Sequence, residues 1–364
     1  MNHLFAERIG GAGFGQSNQI YKFERIRLAK EAAIERFPNR LLLDLGIGEP
    51  DAMADARVVA ALHQAAQKPE NRGYPDNGGP LFKKAVSVFM RQVFGVNVDP
   101  QHEVCHSIGA KAALSILPAA FVDSGDCVLM TTPGYPDFGI HAKYYGGEVY
   151  PLPLIPENHF LPDLENIPTA VLNRTKVLVL NYPNNPTGAL ASEEFFQSAI
   201  RWASHWGILI VHDAAYAALS YAQKPLSILQ FEGAKDVCLE VHTLSKAFNM
   251  VGWRLGWVCG GRPYVQAYMH VKDRTDCGQF LAIQEAAAEA LSYLEIPQQT
   301  GDKYARRLAR LKAILQKLDW QVYGGGGGFF LYAQAPKDLM KKFESAQALS
   351  TWVIKERGIV TVPW

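Results

Sequence analysis

Long apolar runs are missing from this sequence. No uninterrupted stretch reaches the ~20 residues that a bilayer-spanning helix requires, and Met1 to Gly15 contain no apolar signal core. Charge imbalance is missing as well: 36 Lys and Arg face 35 Asp and Glu, for a net charge of +1. No block of like charge gathers, so electrostatics give no support to a nucleic-acid partner or a membrane surface. Paired cysteines are also lacking. Cys105, Cys127, Cys238, Cys259 and Cys277 form no C-x-x-C pair and are odd in number. That argues against a disulfide framework or a zinc site and for free thiols in a reducing compartment. The expectation from these absences is a soluble cytoplasmic protein with no metal.

Apolar residues, in contrast, are plentiful, at 48% of 364 residues. Single cores stop growing near ~250–300 residues, so two subdomains are expected. Gly10, Gly11, Gly13 and Gly15 make an early turn-rich segment. Gln16 stands where a G-x-G-x-x-G loop needs its third glycine, so the segment reads as a loop. Tyr21–Phe37 reads as a helix, and short apolar runs then alternate with helical stretches. Leu41–Leu45, Cys127–Thr131, Lys176–Leu180 and Ile208–His212 read as strands. The last two are rich in Val, Ile and Leu, as strands buried on both faces are. Lys111–Phe121 and Glu193–Trp206 read as helices. This alternation predicts an α/β fold with a largely parallel sheet. Ligands of such sheets sit beyond the carboxyl ends of the strands.

From Gln284 the texture changes. Helices Gln284–Leu294 and Asp302–Leu318 lead to five glycines, Gly324–Gly328, and an apolar run, Phe329–Ala333. The expected division is an N-terminal arm and helix (1–40), a large α/β domain (41–283) and a small α+β domain (284–364).

Several polar groups follow the predicted strands. Thr243-Leu244-Ser245-Lys246 is followed by Gly252-Trp253-Arg254-Leu255-Gly256. A lysine among small hydroxyls is either an ordinary surface residue or an amine for imine chemistry. The guanidinium of Arg254 and the hydroxyls of Thr243 and Ser245 suit a phosphate. Upstream, Asn181-Tyr182-Pro183-Asn184-Asn185-Pro186-Thr187-Gly188 marks a rigid turn after a strand. Asp213 and Tyr216 follow the next one; an aspartate there either caps a helix or pairs with a protonated ring nitrogen. Gly109-Ala110-Lys111 opens a helix, where backbone N–H groups bind anions, although Lys111 equally reads as a solvated side chain. Tyr135, in Pro133-Gly134-Tyr135-Pro136, either stacks on a flat heterocycle or packs in the core.

Taken together and in this order, these motifs resemble the class I/II, fold-type I aminotransferases over roughly Leu45 to Ala333. The resemblance implies a three-layer, largely parallel α/β fold with pyridoxal 5'-phosphate at the strand C-terminal ends. It also implies transamination between an amino acid and a 2-oxo acid. Lys246 would hold the cofactor as a Schiff base and shuttle the substrate proton, and Asp213 would keep the ring nitrogen protonated. Asn185 and Tyr216 would bind the ring's O3′, and Tyr135 would stack on the ring. Ala110, Lys111, Thr243, Ser245 and Arg254 would bind the phosphate. Gly48, in Gly46-Ile47-Gly48-Glu49-Pro50, matches a loop over the substrate, which Tyr135 and Asn185 would also contact. Tyr74 matches a tyrosine that reaches the neighbouring subunit's phosphate, and Lys272–Gln279 is similar to another cross-subunit loop. A homodimer with shared sites follows.

One element of the family pattern has no counterpart. Members carry an arginine beyond a segment like Gly358–Pro363 that grips the substrate carboxylate. The sequence stops at Trp364 and its last arginine is Arg357, so the C-terminal domain reads as cut short. Within the family, Gly73-Tyr74-Pro75-Asp76-Asn77-Gly78-Gly79, Gly109-Ala110-Lys111 and Asn184–Ala189 resemble the LL-diaminopimelate aminotransferase group, enzymes of lysine biosynthesis that use the 2-oxoglutarate/glutamate pair. Aspartate, aromatic or alanine specificity, or C–S β-lyase chemistry on the same fold, keeps the same cofactor residues.

Overall fold

The computed structural model describes residues 4–14 and 22–364; Gly15, Gln16 and Tyr21 lie outside the described residues. The chain divides into two compact units, one of Met1–Gly48, Leu315–Gln321 and Ala333–Trp364, the other of Glu49–Ile314 and Val322–Tyr332. The strands are β1 Leu43–Asp44, β2 Val104–Ser107, β3 Cys127–Thr132, β4 Glu148–Pro153, β5 Thr175–Asn181, β6 Leu209–Asp213, β7 Cys238–Thr243, β8 Gly256–Gly260, β9 Gln321–Gly324, β10 Leu331–Gln334 and β11 Ile359–Val360.

The larger unit is built on a seven-stranded sheet in the order β2-β8-β7-β6-β5-β3-β4. Strands β3 to β7 run parallel, while β8 is antiparallel to β7 and to β2. The β-branched and Leu-rich runs that form β5 and β6 are buried on both faces, as parallel strands covered by helices are. Val177, Val179, Val211 and Val241 pack in a cluster with Leu114 and Phe138, while Leu178, Leu180 and Ile210 pack in another with Phe196, Phe89 and Trp257. Helix Glu193–Trp206 shows the local logic. Ser192 caps it by accepting the Phe195 N–H at 3.2 Å, and Gly207 ends it at φ 64°. Its Phe196, Ala199, Ile200 and Ala203 are buried at helical spacing.

Three sequence expectations shift. The helix read as Lys111–Phe121 is broken, because Pro118 cannot continue it: Gly109–Ile116 is followed by a separate turn, Pro118–Phe121. The strand read as Leu41–Leu45 shrinks to β1, with Leu43 half exposed. Helix Leu281–Ser292 packs against helices Ala56–Ala66 and Pro80–Phe94 through buried Ala282, Ala286, Ala287 and Ala290. Contacts therefore group it with the larger unit, whereas composition groups it with the C-terminal region.

In the smaller unit, helix Lys22–Arg36 packs on helix Ala346–Arg357 around Ile26, Ala29, Ile354 and Val360. Parallel pairing of β1 with β11 and the Lys30–Asp44 ion pair, at 2.6 Å, close it. Among the described residues no helix is long and apolar enough to cross a membrane.

Leu178 is fully buried in the central strand, so Leu178→Ala should destabilise the larger unit by about 3–4 kcal/mol. Urea denaturation followed by circular dichroism checks this: the midpoint should fall, and an unchanged midpoint would mean that β5 is not the centre of the core.

Candidate active site

Strand register brings the sequence motifs to one edge of the sheet. Ser107 and Thr243 both pair with Gly256, Val241 pairs with Asp213, and Asp213 pairs with Asn181. The carboxyl ends of β2, β5, β6 and β7 and the start of β8 are thus level. The residues just beyond them are Gly109–Lys111, Asn184–Asn185, Tyr216, Ser245–Lys246 and, ahead of β8, Arg254. Tyr135 follows β3 at the same side of the sheet.

Lys246 sits in the single-turn helix Leu244–Ala247, whose first N–H groups are capped by Thr243: its Oγ1 accepts the Ser245 N–H at 3.1 Å. The Lys246 Nζ lies 5.8 Å from the ring centres of Tyr216 and Phe329. Partial burial pulls the amine below the ordinary lysine value; the nearby Arg254 acts the same way, while Glu49 and Asp213 oppose it. An amine in this setting is closer to the neutral, nucleophilic form than a surface lysine is.

Asp213 ends β6 and is 4% exposed. Among the described residues only the Ala215 N–H, 3.2 Å from Oδ1, hydrogen-bonds its carboxylate. Burial pushes this carboxyl up to about 6 against the Ala215 hydrogen bond and the charges of His212 and Lys246. Asn181 braces it from β5, donating from Nδ2 to the Asp213 carbonyl at 2.9 Å. The Asn181 Oδ1 accepts the Asn185 N–H at 2.8 Å. Asn184 shapes the same turn: its Oδ1 accepts from the Thr187 hydroxyl at 2.7 Å and the Thr187 N–H at 3.2 Å.

The third feature is a set of donors at the start of helix Gly109–Ile116. Gly109 adopts φ +77°, and a Cβ there would lie 2.7 Å from the Arg254 guanidinium, so only glycine permits this approach. Arg254 is anchored by donating from Nη1 to the Val251 carbonyl at 2.9 Å and to Ser245 Oγ at 3.4 Å. The Thr243 Oγ1 lies 2.9 Å from Ser245 Oγ and 3.0 Å from the Leu255 carbonyl. Helix N–H groups, a guanidinium and two hydroxyls make a cradle for a phosphate. Lys111 is exposed and forms an ion pair, without hydrogen-bond geometry, to buried Asp137 Oδ2 at 3.4 Å. Tyr135 is half-buried, and burial together with the Asp137 carboxylate raises its phenol above the ordinary range.

An apolar wall was not read from the sequence. Tyr216 packs edge-on against Phe329 and Phe330, with centroids 5.4 and 5.3 Å away. The five-glycine run sets these rings in place. Gly324 and Gly188 pack backbone on backbone, and a Cβ on Gly188 would lie 2.8 Å from the Phe330 carbonyl. The Gly328 N–H donates to the Leu219 carbonyl at 3.0 Å. The glycine run and the aromatic pair after it were the signal: side chains are absent where main chains must touch.

Two further positions were selected from the sequence, Gly48 and Tyr74. Gly48 belongs to the smaller unit. Tyr74 is 83% exposed and, with Asp76, Asn77, Asp273, Asp276 and Cys277, lines a surface depression of about 510 Å³. Within Lys272–Gln279, Lys272 is buried and donates to Asp276 Oδ1 at 2.6 Å, and Gln279 donates to the Arg254 carbonyl at 2.8 Å.

Known proteins are similar to this chain in sequence and in fold. Residues 41–364 match the family described as aminotransferase class I and II. The LL-diaminopimelate aminotransferase of Methanocaldococcus jannaschii is 48% identical over all of this chain and 88% of its own length. The enzyme of the same name from Aquifex aeolicus is 38% identical over 94% of this chain and 88% of its own. Among solved structures, substrate-bound BacF from Bacillus subtilis superimposes with a TM-score of 0.88 at 34% identity, covering 95% of this chain and 87% of that one. Aspartate aminotransferase of Thermus thermophilus gives a TM-score of 0.86 at 27% identity, covering 99% and 91%. The family match over residues 41–364, with a relative 48% identical along the whole chain, shows that this protein belongs to the class I and II aminotransferases, which transfer amino groups with pyridoxal 5'-phosphate.

Proposed function

We propose that this aminotransferase acts on LL-diaminopimelate, with 2-oxoglutarate and glutamate as the exchanging pair, and that Lys246 is its catalytic base. The position of Lys246, with its Nζ 5.8 Å from the ring centres of Tyr216 and Phe329 and its amine shifted toward neutrality by burial, carries the reading. The substrate rests on the similarity to enzymes of that name across the whole chain and on Lys111, a cation at the head of the anion-binding helix.

The residues present fit the cofactor. Asp213 is a buried carboxylate in need of a cationic N–H donor, and Gly109 leaves open the space beside Arg254 that a phosphate would share. When bound, pyridoxal phosphate supplies an aldehyde that takes up amines and a protonated ring that draws electrons from the substrate Cα. Asp213 would hold the proton on the ring nitrogen. Asn185 and Tyr216 would hold O3′, and Tyr135 would cover one ring face. Ala110, Lys111, Thr243, Ser245 and Arg254 would bind the phosphate. Lys246 would take up the substrate Cα proton at Nζ and give it back. Tyr216, Phe329 and Phe330 keep water from that nitrogen. Gly48, Tyr135 and Asn185 contact the substrate.

The enzyme is further assigned to the cytoplasm, where its free cysteines stay reduced, and to a homodimer with shared sites. Tyr74 and the Asp273–Cys277 stretch open onto one depression, which supports both as cross-subunit elements.

Purified protein with LL-diaminopimelate and 2-oxoglutarate should form glutamate, and Lys246→Ala should lose at least about 10³-fold in rate. Glutamate formation from aspartate but not LL-diaminopimelate would move the specificity elsewhere; ammonia and a keto acid without an acceptor would indicate lyase chemistry. Sedimentation should give a dimer, and Tyr74→Phe should weaken phosphate binding about tenfold; a monomer with full cofactor affinity would contradict the shared site. Asp213 also sets a pH dependence. Its folded value, about 6, lies above the unfolded 3.8, so the stability it contributes is complete below pH ~4 and is lost as pH rises through ~6. Cofactor-free protein should lose roughly 3 kcal/mol across that window relative to Asp213→Asn. Parallel pH profiles from the two proteins would show that Asp213 is solvated.

A further inference from the structure

Behind the site, on the opposite face of the sheet, lies a second group of ionisable side chains. Strand alternation turns His212 away from Asp213 and against Phe196, whose centroid is 5.1 Å away. Its register partner is Glu240 on β7, which is 0% exposed. Four donors surround the Glu240 carboxylate. His212 Nδ1 at 2.9 Å and the Ile228 N–H at 2.8 Å donate to Oε1. The Ser227 hydroxyl at 2.7 Å and His242 Nε2 at 2.9 Å donate to Oε2. His242 stacks on Trp257 at 4.8 Å. Glu240, His242 and Cys259 have ligand atoms within 4.8 Å of one another, but both Glu240 oxygens are already engaged, so this is a hydrogen-bonded network rather than a metal site.

The other nitrogen of His212 gives the network its direction. His212 Nε2 lies 3.1 Å from the Tyr182 carbonyl oxygen, which only accepts. The ring therefore donates on both sides, toward Tyr182 and toward an ionised Glu240. Burial opposes that ionisation, but the hydrogen bonds from His212 and His242 overcome it and hold the carboxyl well below the usual range. Buried charges do not improve a core over apolar residues of equal volume, so their use is sought in what they touch. Tyr182 opens the turn that carries Asn185, and neighbouring Asn181 holds both the Asp213 carbonyl and the Asn185 N–H.

We propose that the Glu240–His212 pair is a positioning device for the active site: anchored on Glu240, His212 fixes the Tyr182 carbonyl and thereby sets Asn185 and Asp213 where they meet the cofactor ring. His212 and Glu240 are positioning residues and touch no reacting atom. The proposal rests on the roles given above to Asn185 and Asp213.

The side-chain nitrogen of Gln reproduces Nε2 of histidine, and that of Asn reproduces Nδ1. His212→Gln keeps the donor to Tyr182, while His212→Asn keeps only the link to Glu240. Pyridoxal 5'-phosphate is titrated into each cofactor-free protein and followed by tryptophan fluorescence and by the absorbance maximum of the bound cofactor, with circular dichroism as the control for folding. His212→Asn should raise Kd at least about tenfold and shift the maximum; His212→Gln should stay within about threefold of the parent. Equal behaviour of the two variants, whether unchanged or equally weakened, would reduce His212 to packing and overturn the proposal. If His212→Asn does not fold, Glu240→Gln, which keeps the volume and removes the anchor charge, should raise Kd likewise; an unchanged Kd overturns the proposal. A parent protein that binds no pyridoxal phosphate would instead defeat the cofactor roles themselves.

Discussion

Burying a carboxylate without a hydrogen-bonded cation is unfavourable, and the larger unit does this at Asp213. The residue lies at the end of a central parallel strand, with one backbone N–H as its hydrogen-bond donor among the described residues. A cationic nitrogen at that position turns the unfavourable burial into a strong charge-assisted contact. Much of the surrounding structure follows from keeping the carboxylate in place. Asn181 holds its carbonyl, β7 holds its backbone, and Lys246, one strand over, contributes a charge that opposes the rise in its proton affinity.

The site is assembled from main chain as much as from side chains. Gly109 lets Arg254 close on the head of a helix, and Gly188 and Gly324 let two loops touch so that Phe329 and Phe330 reach Tyr216. Substituting either kind of glycine would move the aromatic wall or the anion cradle without removing a polar group. Chemistry at Lys246 thus depends on segments far apart in sequence, joined at the edge of one sheet.

The strands were readable because parallel strands buried on both faces leave continuous Val, Ile and Leu runs, and β5 and β6 fall where those runs lie. Asn185 and Asp213 were readable because each follows such a run, and Lys246 and Arg254 because Ser245-Lys246 stands at a fixed spacing from Gly252-Trp253-Arg254-Leu255-Gly256; register then places the four level. The break at Pro118 was visible in the residue itself, but the apolar periodicity on both sides of it suggested one helix. The packing of helix Leu281–Ser292 with the larger unit was not readable, since alanine-rich surfaces do not specify their partner. Phe329 and the His212–Glu240 pair were hidden for a related reason: their meaning lies in contacts across strands or across long loops. A histidine and a glutamate inside otherwise apolar strands were the available signal for the second of these.

The most direct measurement is chemical. The protein is loaded with pyridoxal 5'-phosphate, reduced with borohydride, digested and mapped by mass spectrometry. The account predicts that the reduced cofactor is carried on the peptide containing Lys246, in full yield and without label on the other lysines. Label spread over surface lysines, or none at Lys246, would contradict it.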